Sequence, residues 1–451
     1  MNRLLYIALA FCLLLPGCKK DPNTTSTGVE IITPTGDEAY LNNGSDVIFD
    51  QNTLHTIELN LPEAALAYID SDPTAEQYVE GSLTFNGETL SPVGIRYKGS
   101  VGAFVGGVEN DEGFNFSGAK TATKLSLKIK IDWEGYNSTF YGLKRLQLHS
   151  QNLDPSQMRD RLGYWLFRSM GVPTARAVHA RVVINGTYYG LYSMVEQLDE
   201  QWTNYHFENG SGNLYKEVWP MYSNGDITNE RDFYRALVTN RGAGTTVDRM
   251  QEFAEAIHGA DDNALRQVIQ DHMDLDEILS YVAVDRLIRN DDGVFHWYCG
   301  VLGCSPHNFF WYENPATNKM HLIPWDLDNA FENILGPANE VTPIADAWGE
   351  TSNDCRPFEF GALNFRQKSA ACDKLTGGWA SFDTEYQEIK TRFINTVFSQ
   401  AEVETRIDAW ADQIRPATLE ASQQHSDAIT IEEWEQAIET LKAQLAFART
   451  Q

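Results

Sequence analysis

With 451 residues, 42% hydrophobic and 12% aromatic, the chain has enough apolar material to bury large cores, in one two-lobed domain or in two domains. Asp and Glu number 63 against 35 Lys and Arg, a formal net charge of -28. Such a surface repels a phosphate backbone, which excludes nucleic acid as a partner class. It suits a site that attracts cations, although acidity also serves simple solubility.

The N-terminus reads as an export signal. Met1-Asn2-Arg3 is a short basic start, and Leu4 to Leu15 is an apolar run too short to span a bilayer comfortably. Leu15-Pro16-Gly17-Cys18 follows and resembles a bacterial lipobox, with cleavage after residue 17 and lipid on Cys18. Lys19 after the cysteine favours the outer membrane, and the lipid is expected to be the only membrane anchor. Residues 18–52, rich in Thr, Ser, Asn, Gly and Pro, read as a flexible tether. Export leaves Cys299, Cys304, Cys355 and Cys372 in an oxidising compartment, where two disulfides are expected in any of three pairings. A zinc site is the rival reading, but the spacing has no CxxC pair.

The fold is expected to begin near His55, where Thr56–Leu61 alternates as a strand. Tyr78–Phe85 and Pro92–Lys98 are strands, with Asn86-Gly87 as a hairpin turn. A glycine loop, Gly99 to Gly107, precedes the alternating strand Lys124–Ile131; a mobile loop beside a lysine-bearing strand is one way to cradle phosphate. Asp154-Pro155-Ser156 opens a helix carrying Leu162, Trp165, Leu166 and Met170, which Gly171-Val172-Pro173 stops. Arg159, Asp160 and Arg161 read as its solvated face. Strands His179–Asn185 and Tyr189–Val195 follow. From residue 213 the helical period takes over, with helices near 230–239, 247–257, 261–272, 274–288, 384–399, 401–411 and 431–448. Residues 336–378 read as a long loop.

Within the helical half lies a hairpin, His307–Tyr312 and His321–Trp325, turning over Asn314-Pro315. Its second strand ends on Asp326 and Asp328, and Asn308 begins its first. Two carboxylates and an amide oxygen at one end of a rigid element are hard ligands that suit Mg2+ or Mn2+. Read alone, Asp-Leu-Asp is more often a solvated acidic turn.

In order, Val93–Ser100, Lys124–Asp132, Leu143–Leu146 leading to Asp154–Asp160, Gly190–Gln197, Asn290-Asp291-Asp292-Gly293, His307-Asn308 and Pro324–Asp328 resemble the spore-coat protein H (CotH) kinase-like family over about residues 55–335. The resemblance implies an α+β, atypical protein-kinase-like fold of two lobes, a β-rich N-lobe over 53–198 and a mainly helical C-lobe over 199–451. It implies an exported, lipid-anchored atypical kinase that transfers the γ-phosphoryl of ATP, with Mg2+ or Mn2+, to Ser or Thr of surface or envelope proteins. By motif order Asp292 would be the catalytic aspartate, and Asn308, Asp326 and Asp328 would hold metal. Lys128, with Lys98, Lys144 or Lys124 as alternatives, would neutralise phosphate, and Glu196 lies where a nucleotide-base hinge would be. The chain departs from ordinary kinases in lacking HRD and DFG triplets and in the insertion Trp297–Pro306 between Asp292 and Asn308. If Cys299 and Cys304 bond, that insertion becomes a small staple beside the site. The same resemblance allows a non-catalytic surface binding or assembly protein. A glycoside hydrolase has less support, because Asp326 and Asp328 are two residues apart on one strand end rather than flanking a sugar.

Overall fold

Alternation of apolar and polar residues builds the first half of the chain. A computed structural model describes residues 44–112, 115–301, 303–336, 338, 355–360 and 365–451. Strands β1 (His55–Asn60), β2 (Val79–Phe85) and β3 (Glu88–Tyr97) follow one another, with helix α1 (Glu63–Ser71) between the first two. A side hairpin, β4 (Val108–Glu112) and β5 (Asn115–Lys120), precedes β6 (Leu127–Lys130) and β7 (Arg145–His149). Helix α2 (Arg159–Ser169) then leads to β8 (Ala177–Ile184) and β9 (Thr187–Val195). Seven of these strands close into a barrel in the order β1-β2-β3-β6-β7-β9-β8. The seam is the parallel pairing of β1 with β8, His55 opposite Ala180 through Leu59 opposite Ile184. Closure removes the free strand edges that an open sheet would present.

Period 2 decides which side chains enter the barrel. Ile57, Leu83, Ile95, Leu127, Ile129, Leu146, Leu148, Val182 and Met194 fill it. The opposite phase of β3, β6 and β7 carries Arg96, Lys128 and Gln147, paired side by side across the three strands. The Asn86-Gly87 turn is present as expected, and Asn185-Gly186 makes the same kind of turn between β8 and β9. Asn86-Gly87 and Asn185-Gly186 take positive φ at both central positions, as a tight two-residue turn requires.

The second half is helical around a small sheet. Its elements are α3 (Glu200–His206), β10 (Leu214–Lys216), α4 (Glu230–Ala236), α5 (Asp248–Gly259), α6 (Asp262–His272) and α7 (Leu275–Leu287). There follow β11 (His296–Gly300), β12 (Gly303–Ser305), β13 (Phe309–Glu313), β14 (Met320–Pro324), β15 (Phe358–Phe360) and β16 (Phe365–Ser369). Helices α8 (Lys374–Ala380), α9 (Asp383–Asn395), α10 (Gln400–Gln424) and α11 (Ile431–Ala448) complete the chain. Helix α7 buries Ile278 through Asp285 and Leu287, and so runs through the middle of this core. The α+β class is therefore observed. No helix among the described residues is long and apolar enough to cross a membrane.

Four local readings change. Asp160 and Arg161 are each only 1% exposed and do not form a solvated face. Arg161 donates to the carbonyl and side chain of Gln51 and stacks on Trp410 at 4.3 Å. Residues 44–52, read as the end of the tether, are seated on the fold, with Ile48 and Phe49 buried and Ser45 accepting from Arg176 at 2.7 Å. The described part of 336–378 is not a loop throughout, since β16 pairs with both β11 and β15 and α8 follows; residues 339–354 lie outside the described residues. Helix α10 continues through Pro416 to Gln424. Its backbone loses one hydrogen bond there, and burial of Ile414, Ala417 and Thr418 holds it. The cysteines pair as Cys299–Cys304 and Cys355–Cys372. The lipobox and Cys18 lie outside the described residues.

Candidate active site

The site begins at the open end of the β13–β14 hairpin. Pairing runs from Phe309 opposite Pro324 to Glu313 opposite Met320. One further bond, Trp325 N–H to the Asn308 carbonyl at 3.0 Å, carries the register to the residues that follow. Asn308 and Asp326 both sit at φ +55°, a left-handed conformation that Asn and Asp tolerate better than most residues. Two left-handed residues at matched ends break the strand and hold their side chains on one rigid edge.

Asp292 reaches this edge from the turn after α7. Asn290 N–H donates to the Asp285 carbonyl at 3.1 Å and Gly293 N–H to the Asn290 carbonyl at 3.0 Å, a tight reversal. A Cβ on Gly293 would stand 2.4 Å from the Asn290 side-chain nitrogen and would push it off its bond to Asp285. The Asn308 amide donates to the Asp292 carboxylate at 2.7 Å. Asp291 is turned the other way, accepting from Asn333 at 2.9 Å and lying 3.2 Å from His296. The inserted hairpin β11–β12, closed by Cys299–Cys304, places the Tyr298 hydroxyl 2.9 Å from the Asp291 carbonyl, to which it donates.

The carboxylates repel one another. Burial, and then the charge of Asp326, push Asp292 up to about 7 against the Asn308 hydrogen bond. Burial followed by Asp326, Asp160 and Asp292 pushes Asp328 well above the ordinary carboxylate range, with Arg159 opposing. Arg159 also ties the turn down, donating to the Asp328 carbonyl at 2.9 Å and to Glu332 at 2.8 Å. The Asp326 N–H donates to the Tyr164 hydroxyl at 3.0 Å. Leu327 lies on Gly163, where a Cβ would approach its side chain to 2.8 Å.

Cations come from the barrel. Lys98, one residue past β3, donates to Gln147 at 2.8 Å, lies 2.9 Å from His149 Nε2 and sits 5.9 Å above the Trp325 ring. Burial lowers its pKa, while Asp326 and Asp160 oppose that shift. Lys128 shares its face of the barrel; burial, then Lys98, Arg96 and Arg145, bring it down to about 8. No hydrogen bond or ion pair to its ammonium is formed among the described residues. Lys144 lies apart, its ammonium 4.0 Å from Glu200. Lys124 donates to the Leu191 carbonyl at 3.0 Å. Glu196 is committed elsewhere. It is 1% exposed, accepts from Arg176 Nε at 3.0 Å and Nη2 at 2.5 Å, and lies 3.2 Å from His206. Its side chain serves an ion-pair cluster rather than an open surface.

The structure thus brings Asp292, Asn308, Asp326 and Asp328 together with Lys98 opposite, and leaves Lys144 and the Glu196 carboxylate outside. Among the described residues no three His, Cys, Asp or Glu side chains form a preformed metal cage. Asn308 and Asp326 instead offer a few hard oxygens, a donor set that fits a cation taking its remaining ligands from water and phosphate. Sequence reading missed His149, Asp160, Tyr164 and Tyr298. For His149 a signal existed, since it shares the outer phase of β7 with Gln147.

A family model described as CotH kinase protein matches residues 95–449. Among curated proteins, the inner spore coat protein H of Bacillus subtilis (strain 168) is 23% identical over 290 residues, 62% of this chain and 70% of that protein. The match reaches from the third barrel strand to the last helix and takes in every residue of the site just described, and the chain belongs to the CotH kinase protein family.

Proposed function

We propose that this chain is an exported, lipid-anchored atypical kinase that transfers the γ-phosphoryl of ATP to Ser or Thr of envelope or surface proteins. The barrel acts as the N-lobe and the helical half as the C-lobe of a kinase-like cleft. Convergence of Asp292, Asn308, Asp326 and Asp328 opposite Lys98 carries the reading. Three mutually repelling carboxylates and an amide oxygen beside one half-buried lysine fit an ion-bridged polyphosphate better than an empty cleft. Kinase-like family membership supports the reaction class, and a relative named for the inner spore coat supports an outer-layer location.

Asn308 and Asp326 would hold the divalent ion, with Asp328 a further ligand or a support for the turn. Bound Mg2+ and ATP together supply the phosphoryl donor and neutralise its charge. Lys98 and Lys128 give ammonium hydrogens to phosphate oxygens from the barrel side. Asp292 accepts the proton of the acceptor hydroxyl, and Asn308 fixes its carboxylate by the 2.7 Å hydrogen bond. The side chain of Glu196, held by Arg176 and His206, takes no part in base binding.

Calorimetry with ATP and Mg2+, paired with labelled-ATP autophosphorylation, tests this. Asp326→Ala is expected to abolish metal-dependent nucleotide binding. Asp292→Ala should bind nearly as wild type and lose transfer, because a group that orients the nucleophile acts mainly in the transition state. Wild-type affinity in Asp326→Ala would make the hairpin aspartates structural and the mechanism wrong.

A further inference from the structure

We propose that His149 is a positioning residue that passes the hold of the Asp160 carboxylate on to Lys98, as the tautomer protonated on Nδ1. The proposal rests on the phosphotransferase reading of Lys98. His149 lies at the end of β7 with Nε2 2.9 Å from the Lys98 ammonium and Nδ1 3.0 Å from the Asp160 carboxylate on α2. Histidine and aspartate are 7% and 1% exposed, so the Nδ1–Asp160 bond is shielded from water.

An ammonium has hydrogens to give and no lone pair to offer. Imidazole Nε2 must therefore be the acceptor, and the ring proton must sit on Nδ1, where it is donated to Asp160. The opposite tautomer would point an N–H at the ammonium and leave two buried donors face to face. The ring is also held edge-on to Trp325, centroids 6.2 Å apart at 88°.

In kinases generally, the phosphate-binding lysine is paired directly with a helix carboxylate. Here an imidazole stands between the two. Gln147 and His149 occupy two hydrogens of the Lys98 ammonium and leave one for an incoming phosphate oxygen. Because α2 also carries Arg159 and Tyr164, which fix the Asp326–Asp328 turn, the chain Asp160–His149–Lys98 sets the lysine relative to the metal-ligand edge.

A double-mutant cycle separates this role from plain packing. Affinity for ATP with Mg2+ is measured on wild type, Lys98→Ala, His149→Leu and the double variant, with thermal unfolding of each. Each single change should weaken binding about tenfold, the order of one hydrogen bond to a charged group. In the Lys98→Ala background, His149→Leu should cost less than about twofold more, since its effect travels through the missing lysine. His149→Gln, which can still accept and donate, should recover part of the loss. Independently, 15N spectra of the wild-type histidine rings, assigned by difference from His149→Gln, should show Nδ1 protonated. Additive losses, or an Nε2–H or imidazolium signature, overturn the proposal. Wild-type binding that His149→Leu leaves unchanged sinks it alone, whereas a wild type that binds no nucleotide sinks the phosphotransferase reading and this proposal with it.

Discussion

Glu196 gives the sharpest test of how the barrel is held to the segment preceding it. Its carboxylate accepts two side-chain bonds and the backbone N–H of Arg176, and faces His206. Arg176 also reaches Ser45 and Asp46, so the cluster ties residues 45 and 46 to the start of β8. Glu196→Ala leaves a guanidinium that is 7% exposed without its carboxylate partner, while the Ser45 and Asp46 bonds stay. Breaking one side of a buried pair costs about 3–5 kcal/mol, and the retained Ser45 and Asp46 contacts put this case at the lower end. Burial would raise the glutamate pKa, but Arg176 and His206 pull it the other way and hold it well below the ordinary range. A carboxylate depressed on folding contributes stability above its unfolded value, and that stability is lost as pH falls toward the folded one. The wild-type advantage in denaturant unfolding should thus be full at pH 7 and shrink below about 4.5. Equal unfolding midpoints at pH 7, or a gap independent of pH, would refute the ion-pair account.

Further outcomes follow from other buried groups. Burial pushes Asp285 up to about 7, with Asn290 and His296 opposing; a raised carboxylate makes folding less favourable as pH rises from about 4 to 7. Asp285→Asn should therefore unfold later than wild type at pH 8, by up to about 4 kcal/mol; an unchanged or lower midpoint there contradicts this. Tyr298→Phe removes the donor to the Asp291 carbonyl and should slow transfer about tenfold without weakening nucleotide binding. Reduction of Cys299–Cys304 should act in the same direction, and transfer rates unaffected by both would remove the hairpin from the mechanism. Cys18→Ser should shift the protein out of the detergent phase, and unchanged partitioning would end the lipid-anchor reading.

Local chemistry was legible in the sequence and long-range pairing was not. The hairpin ending on Asp326 and Asp328 could be read because aromatic alternation and Asn314-Pro315 lie within twenty residues of each other. Barrel closure could not, because β1 and β8 are separated by more than a hundred residues and neither carries a mark of its partner. The β11–β16 pairing was hidden for the same reason, and residues up to 378 then resembled a loop. Asp160 and Arg161 read as solvated from sequence because charge is ordinarily a sign of exposure. Their partners, His149 and Gln51, come from elements that only the tertiary fold brings near. Glu196 sat in a recognisable motif, but whether its carboxylate faced a cleft or an arginine depended on β8.

Helix α2 has little freedom to swing. Arg159 grips the Asp328 carbonyl and Glu332, Tyr164 receives the Asp326 N–H, and the bare Cα of Gly163 lets Leu327 settle on the helix axis. Rotating the helix outward would break all these contacts at once and carry Asp160 away from His149. The helix and the Asp326–Asp328 turn therefore behave as one piece. The Asp326–Asp328 turn and the Asp160–His149 contact are consequently set by one and the same helix.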